Sequence, residues 1–196
     1  MEKVVFLDRD GTINIEKKYL FRIEDFQFIN GTPEAIHLLN QNNYKVIVVT
    51  NQAGIARGYY SEDDVKKLHG YINDELYKYK AHIDYYFYCP HHPTEGIGKY
   101  KVNCKCRKPE IGMFQNAEKI FPINKKKSWM IGDNKNDIIA GNNFNINTIL
   151  VSTGYGSSIY EQEIQGLKID YYASDILEAV KYILMSKLEK DNNKLK

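Results

Sequence analysis

The chain has 196 residues, 43% hydrophobic and 27% charged, with 27 basic and 25 acidic side chains for a formal net charge of +2. This balance excludes a chain disordered throughout and lacks the cationic excess of a nucleic-acid coat or a binder of anionic membranes. No apolar run approaches the roughly 20 residues that a membrane-crossing helix needs, and a chain of this size can bury roughly 70% of its unfolded surface in a core without disulfide staples.

The first segment, Met1 to Asp8, places a short apolar run after one lysine and ends it in an acid. It is too short for the apolar region of a secretory signal and has no small-residue cleavage site, so the expectation is a cytoplasmic protein. Val, Ile, Tyr and Phe mark residues 3–8 as a strand, and 12–30 read as a hairpin-like flap. A helix follows at 33–43, a strand at 44–50, and a helix after Ser61, whose capping partner Asp64 precedes Val65, Leu68, Ile72, Leu76 and Tyr79 at helical spacing. Next come a strand at 83–89, a loop at 89–107 holding all three cysteines, and a helix at 111–121. Strands at 127–133 and 147–153 flank a helix at 136–144, and a weaker strand at 169–173 precedes a helix at 175–188. The polar tail from 186 to 196 reads as frayed.

Alternation of strand and helix predicts an α/β fold with a parallel sheet, and runs such as KVVFLD, KVIVVT and SWMIGD suit strands buried on both faces. No repeat or Pro/Ser-rich linker divides the chain, so residues 1–196 are expected to form a single domain. In such sheets, sites lie at the carboxyl ends of strands, and the flap and the cysteine loop would hang over that edge.

Those ends carry the chemistry. Asp8 and Asp10 stand two residues apart at the end of the first strand, so extended geometry sends both carboxylates to one side. Like charges so close call for a cation or a shared proton, which implies Mg²⁺ with a nucleophile and an acid/base pair. Thr50 ends the second strand and can donate to a phosphoryl oxygen; Lys108 can neutralise phosphate and attacking carboxylate; Asp133 can complete a magnesium shell. Each taken alone has an ordinary explanation, as a helix cap or a solvated side chain. The cysteine loop offers Cys89, His91, Cys104 and Cys106 as a closed tetrahedral zinc set, with His92 as the competing ligand, and such a site would position Arg107 and Lys108.

Taken in order, DxDGT, a strand-terminal Thr, a Lys and GDxxxD resemble the four motifs of the haloacid dehalogenase superfamily of aspartate-nucleophile phosphatases over residues 3 to about 153. The resemblance implies a Rossmann-like doubly wound core in which Asp8 forms an aspartyl-phosphate and Asp10 acts as acid and then base, with Thr50 and Lys108 holding the phosphoryl group. Magnesium would be held by Asp8, the Asp10 carbonyl and Asp133, with Asp137 supporting them from behind. Arg9 fits this group and decides little. The loop ending in CRKP is similar to that of the heptose bisphosphate and histidinol phosphatase group, and TNQAGIARG looks like the heptose branch. That branch implies sugar-phosphate contacts from Glu16, Tyr19, Asn51, Gln52, Ala53, Arg57, Arg107 and Asn134. It also implies no cap domain, because helix, strand and zinc loop use up the spacings between motifs.

The implied activity is a Mg²⁺-dependent removal of the 7-phosphate from D-glycero-D-manno-heptose 1,7-bisphosphate, for a nucleotide-activated heptose of lipopolysaccharide or another surface glycan. The rival enzyme is a histidinol-phosphate phosphatase. A rival of another class is an inert zinc-stabilised binding module whose basic run Lys99, Lys101, Lys105, Arg107, Lys108 grips nucleic acid. That run has Tyr100 but little further aromatic interleaving, so no base-stacking platform is evident. The partners expected are therefore a small phosphorylated sugar, no nucleic acid and no membrane, and the absence of a heptad seam leans towards a monomer.

Overall fold

Four apolar runs at the centre and two tyrosine-rich runs at the edges assemble into one parallel sheet in the computed structural model, which describes residues 1–159 and 164–192. The strands are β1 (Lys3–Leu7), β2 (Tyr44–Asn51), β3 (Tyr85–Cys89), β4 (Trp129–Gly132), β5 (Asn147–Val151) and β6 (Tyr171–Ala173). Their order is β3-β2-β1-β4-β5-β6. Successive strands therefore run outward from β1 in one direction and from β4 in the other, and the reversal lies between these two neighbours, where an open α/β sheet leaves a crevice.

The helices are α1 (Thr32–Gln41), α2 (Ala53–Ala56), α3 (Glu62–Tyr77), α4 (Gly112–Ile120), α5 (Lys135–Asn143) and α6 (Ile176–Asn192). Period-two alternation sends Val5 and Leu7 of β1 to one face, where they join Ile36 and Leu39 of α1, Leu68, Ile72 and Leu76 of α3, and Val180 and Ile183 of α6. Val4 and Phe6 face the other way, against Met113, Phe114 and Ala117 of α4 and Ala140 of α5. Phe6 lies 4.7 Å from Phe114 and 6.1 Å from Phe144, ring to ring, so both faces of β1 are closed by side chains. The parallel sheet flanked by helices is thus the one the strand and helix alternation predicts, and its doubly wound order is the one the superfamily resemblance implies.

Four local details differ from the sequence expectation. The helix after Ser61 keeps its predicted cap, Asp64 N–H donating to Ser61 Oγ at 3.2 Å, but ends at Tyr77, which leaves Tyr79 outside it and exposed. α2 is a single turn of Ala-Gly-Ile-Ala, too short to display a helical period. Residues 12–30 do not form a two-stranded hairpin; one antiparallel bridge, Asn14 to Phe28, and bonds from Ile15 N–H to Gln27 C=O and Ile29 N–H to Ile13 C=O pin a loop. The tail expected to fray from 186 is helical through Asn192, and 193–196 lie outside the described residues.

Candidate active site

The ends of β1, β2 and β4 open into a cleft of about 510 Å³. Asp8, just past β1, donates its backbone N–H to Ile131 C=O at 3.0 Å, and Asp133 directly follows β4. Thr50 is the buried penultimate residue of β2. The sheet therefore fixes the spacing of nucleophile candidate, hydroxyl and metal-ligand candidate before any side chain is placed.

Lys108 arrives from the loop before α4 and is buried between two carboxylates, its Nζ 2.9 Å from Asp8 Oδ1 and 2.6 Å from Asp137 Oδ1. Burial works against the ammonium, yet Asp137 and Asp8 outweigh it and hold the Lys108 pKa above its usual value. Its backbone is clamped by Asn51, which accepts from Lys108 N–H and donates to Lys108 C=O, both at 3.0 Å. Asp137 is itself fixed, because its Oδ2 accepts from Asn134 N–H at 3.0 Å in the capping box that starts α5.

Asp10 is held by a separate set of donors. Arg9 approaches Oδ1 through Nε at 3.2 Å and both carboxylate oxygens through Nη2, at 2.9 and 2.8 Å. Asn14 Nδ2 adds a bond to Oδ1 and Gln52 Nε2 one to Oδ2, each at 3.0 Å. The two carboxylates of the DxD motif are thus on different fixtures, one tied to a lysine and the other to an arginine. Arg9, to which the sequence assigns little, is fully buried. The available signal was a charge flanked by two acids at the end of an apolar strand.

Asp8, Asp133 and Asp137 bring carboxylate oxygens within 4.8 Å of one another. Burial, with Asp8 and Asp137 adding to it, pushes the Asp133 pKa up to about 8. Three carboxyl groups face one ammonium at the base of the cleft, and hard oxygen donors so arranged suit Mg²⁺. The backbone comes close here: a side chain on Gly11, at φ +81°, or on Gly154 would collide with Asp133 Oδ2, and Tyr155 N–H donates to that same oxygen at 2.7 Å. Asp10 contributes no side chain to this acidic cluster.

On the rim, Cys89, His91, Cys104 and Cys106 place their donor atoms within 4.8 Å of one another. The three sulfurs are 3.1 to 3.4 Å apart, and His91 Nδ1 is 3.4 Å from Cys106 and 3.7 Å from Cys89. Sulfurs at these separations are not disulfide-bonded, since an S–S bond is about 2.05 Å. The contact between Cys89 and Cys106 lowers the Cys106 thiol pKa and raises that of Cys89, and three sulfurs with one imidazole fit zinc. His92, the competing ligand, turns away: its Nδ1 accepts from Glu95 N–H at 3.0 Å, and the residue lines the cleft.

All the sugar-contact candidates, Glu16, Tyr19, Asn51, Gln52, Ala53, Arg57, Arg107 and Asn134, border the cleft. Arg57 ion-pairs with Glu95 and lies over the Tyr19 ring, and Arg107 donates to His91 C=O at 3.3 Å. Lys18, Tyr60, His92, Asn136 and Tyr155 also line it and have no signal in the sequence, since each is brought there only by folding.

The HAD-hydrolase-like family model matches residues 105–179. D-glycero-beta-D-manno-heptose-1,7-bisphosphate 7-phosphatase of Pasteurella multocida is 46% identical over 155 residues, covering 79% of this chain and 84% of that one. D-glycero-alpha-D-manno-heptose-1,7-bisphosphate 7-phosphatase of Campylobacter jejuni is 45% identical over 149 residues, covering 76% of this chain and 81% of that one. Among solved structures, D,D-heptose 1,7-bisphosphate phosphatase of B. bronchiseptica, complexed with magnesium and phosphate, superposes with a TM-score of 0.82 at 27% identity, over 94% of this chain and 99% of that one. With these relatives and this arrangement of carboxylates, the chain belongs to the haloacid dehalogenase-like family of heptose bisphosphate phosphatases.

Proposed function

We propose that this protein is a Mg²⁺-dependent phosphatase that removes the 7-phosphate of D-glycero-D-manno-heptose 1,7-bisphosphate through an aspartyl-phosphate on Asp8. The observation that carries the reading is the separation of the two DxD carboxylates within one cleft, Asp8 against Lys108 and Asp10 against Arg9. An unprotonated Asp8 beside an ammonium is a nucleophile, and a carboxyl group held apart from it can carry a proton. Asp8 attacks phosphorus as the bond to the sugar oxygen breaks, and Asp10 gives that oxygen its proton. Asp10 then takes a proton from the water that hydrolyses the aspartyl-phosphate, which releases phosphate, frees the Asp8 carboxylate and returns Asp10 to its protonated form.

Thr50 and Lys108 steady the phosphoryl oxygens. Asp8, Asp133 and the Asp10 backbone carbonyl would hold Mg²⁺, which supplies charge neutralisation for the phosphoryl group when bound. Cys89, His91, Cys104 and Cys106 would hold a structural zinc that keeps Arg107 at the rim. There Arg57, Arg107 and Lys18 offer positive charge to the substrate's second phosphate, while Glu16, Tyr19, Ala53 and Asn134 border the sugar. One domain without a cap suits this open cleft.

The names of the relatives support the heptose substrate over histidinol phosphate. The nucleic-acid reading loses one member of its basic run, because Lys108 is 2% exposed and paired with Asp8 and Asp137. Phosphate release with Mg²⁺ from both anomers of the heptose bisphosphate, alongside histidinol phosphate and fructose 1,6-bisphosphate, tests the proposal. A kcat/KM for one heptose anomer at least tenfold above every other substrate is the expected result, and preference for histidinol phosphate overturns it.

A further inference from the structure

Behind the general acid lies a buried chain of polar groups whose protons can be assigned without ambiguity. Gln52 is 2% exposed and bonded through both ends of its amide: Oε1 meets Tyr60 Oη at 2.7 Å and Arg9 Nη2 at 3.3 Å, while Nε2 meets Asp10 Oδ2 at 3.0 Å and Thr50 Oγ1 at 2.9 Å, and its backbone N–H donates to Cys89 C=O. A guanidinium can only donate, so the amide oxygen must face Arg9, and the amide nitrogen then donates to Asp10 Oδ2, which accepts whether or not the carboxyl group carries its proton. Two consequences follow for the neighbours. Tyr60 must donate its hydroxyl proton to Gln52, and Thr50 must accept from Gln52, which leaves the Thr50 hydroxyl hydrogen free to point elsewhere.

Tyr60 is placed for this by unrelated contacts. Its ring stacks on Phe21 of the 12–30 loop at 5.1 Å and 21°, and it reaches inward across Gly54, where a side chain would run into the ring. Arg9 is tied to the same loop through Leu20 C=O at 2.9 Å. The amide is thus gripped from the loop and from the turn between α2 and α3.

We propose that Tyr60 and Gln52 form a positioning clamp: Tyr60 and Arg9 lock the Gln52 amide, which holds the Asp10 carboxyl in place and turns the Thr50 hydroxyl proton towards the phosphoryl site. The clamp deepens the phosphatase reading above and rests on it for its catalytic meaning. Gln52 then acts through Asp10 and Thr50 rather than on the sugar.

Tyr60→Phe keeps the ring and removes the donor; Gln52→Met keeps the shape and removes every side-chain bond. General acid–base catalysis contributes about 10²- to 10⁴-fold, so losing its alignment in Gln52→Met lowers kcat about tenfold to hundredfold, with KM within about twofold of wild type. With p-nitrophenyl phosphate, whose leaving group needs no proton, the first-turnover burst of nitrophenol in Gln52→Met feels only the loss at Thr50 and falls by less than steady-state turnover, which also needs Asp10 to activate water. Equal losses in burst and steady state, or a kcat unchanged in both variants, overturn the proposal.

A second readout does not depend on turnover. The Gln52 side-chain amide protons, followed by ¹⁵N NMR, exchange slowly in wild type and at least about tenfold faster in Tyr60→Phe at an unchanged Tm, as loss of a buried anchor requires. Unchanged exchange overturns the clamp. Faster amide exchange in Tyr60→Phe, with a wild type inert towards every phosphomonoester, sustains the clamp and sinks the phosphatase reading instead.

Discussion

The Lys108 ammonium sits 2.6 Å from Asp137 Oδ1, and the two side chains are 2% and 1% exposed. A buried cation this close to a buried anion is costly to form and more costly to break, because either partner left alone is an uncompensated charge. Lys108→Met should therefore lower stability by about 3 kcal/mol or more, which for a chain of this length is a Tm drop of roughly 6 to 12 °C. The double variant Lys108→Met/Asp137→Leu should recover part of it, as calorimetry of the three proteins will show. A single variant as stable as wild type contradicts the pairing.

Asp8→Asn tests the nucleophile with little risk to the fold. The Asn carbonyl oxygen can still accept from Arg9 N–H, as Asp8 Oδ1 does at 2.8 Å, and from Lys108. Turnover should fall by about three orders of magnitude or more at an unchanged circular dichroism spectrum. Retention of more than a few per cent of phosphate release rules out the aspartyl-phosphate.

The raised Asp133 pKa gives a pH signature for metal binding. In the metal-free protein the Asp133 carboxyl, at about 8, holds its proton more tightly folded than unfolded. Its contribution to stability is full below the ordinary carboxylate range and is lost as the pH rises towards about 8. Mg²⁺ must displace that proton, so its affinity should rise between pH 6 and 8 by up to about tenfold per unit and then level off. Titration calorimetry across this range, with the Mg²⁺-induced Tm rise larger at pH 8 than at pH 5.5, checks the sign; a flat profile removes Asp133 from the metal site.

The four donors Cys89, His91, Cys104 and Cys106 should bind one zinc per chain, and Cys104→Ala should lose it. Because Arg107 leans on His91 C=O, chelation should raise KM by about tenfold while leaving kcat within about threefold. Elemental analysis with steady-state kinetics decides both; a Cys104→Ala protein that keeps one zinc overturns the ligand set.

Arg57 tests the second phosphate. Arg57→Ala should cost about tenfold to hundredfold in kcat/KM for the heptose bisphosphate, because it removes a charge-assisted hydrogen bond to that phosphate, and less than about threefold for a monophosphate such as p-nitrophenyl phosphate. Equal losses on both would place the arginine in scaffolding through Glu95 rather than at the substrate.

The order of the elements, the parallel sheet and the strand-end positions of Asp8, Thr50 and Asp133 were legible in the chain, because each depends on local signals, while the doubly wound strand order came through the resemblance. Strands buried on both faces must read as apolar runs, and in a parallel sheet their next residues must emerge at one edge. The clustering of Cys89, His91, Cys104 and Cys106 was legible because four rare donor residues in two tight pairs have few other uses. The tertiary structure alone decided the partners of those residues. Nothing local shows that Arg9 is buried against Asp10, that Asn51 clamps the backbone of Lys108, or that Tyr60 reaches Gln52. Those contacts span up to 57 residues and arise when the carboxyl ends of separate strands are packed into one crevice. Hydrophobic burial sets the crevice, and the requirement that buried polar groups be paired then selects their partners.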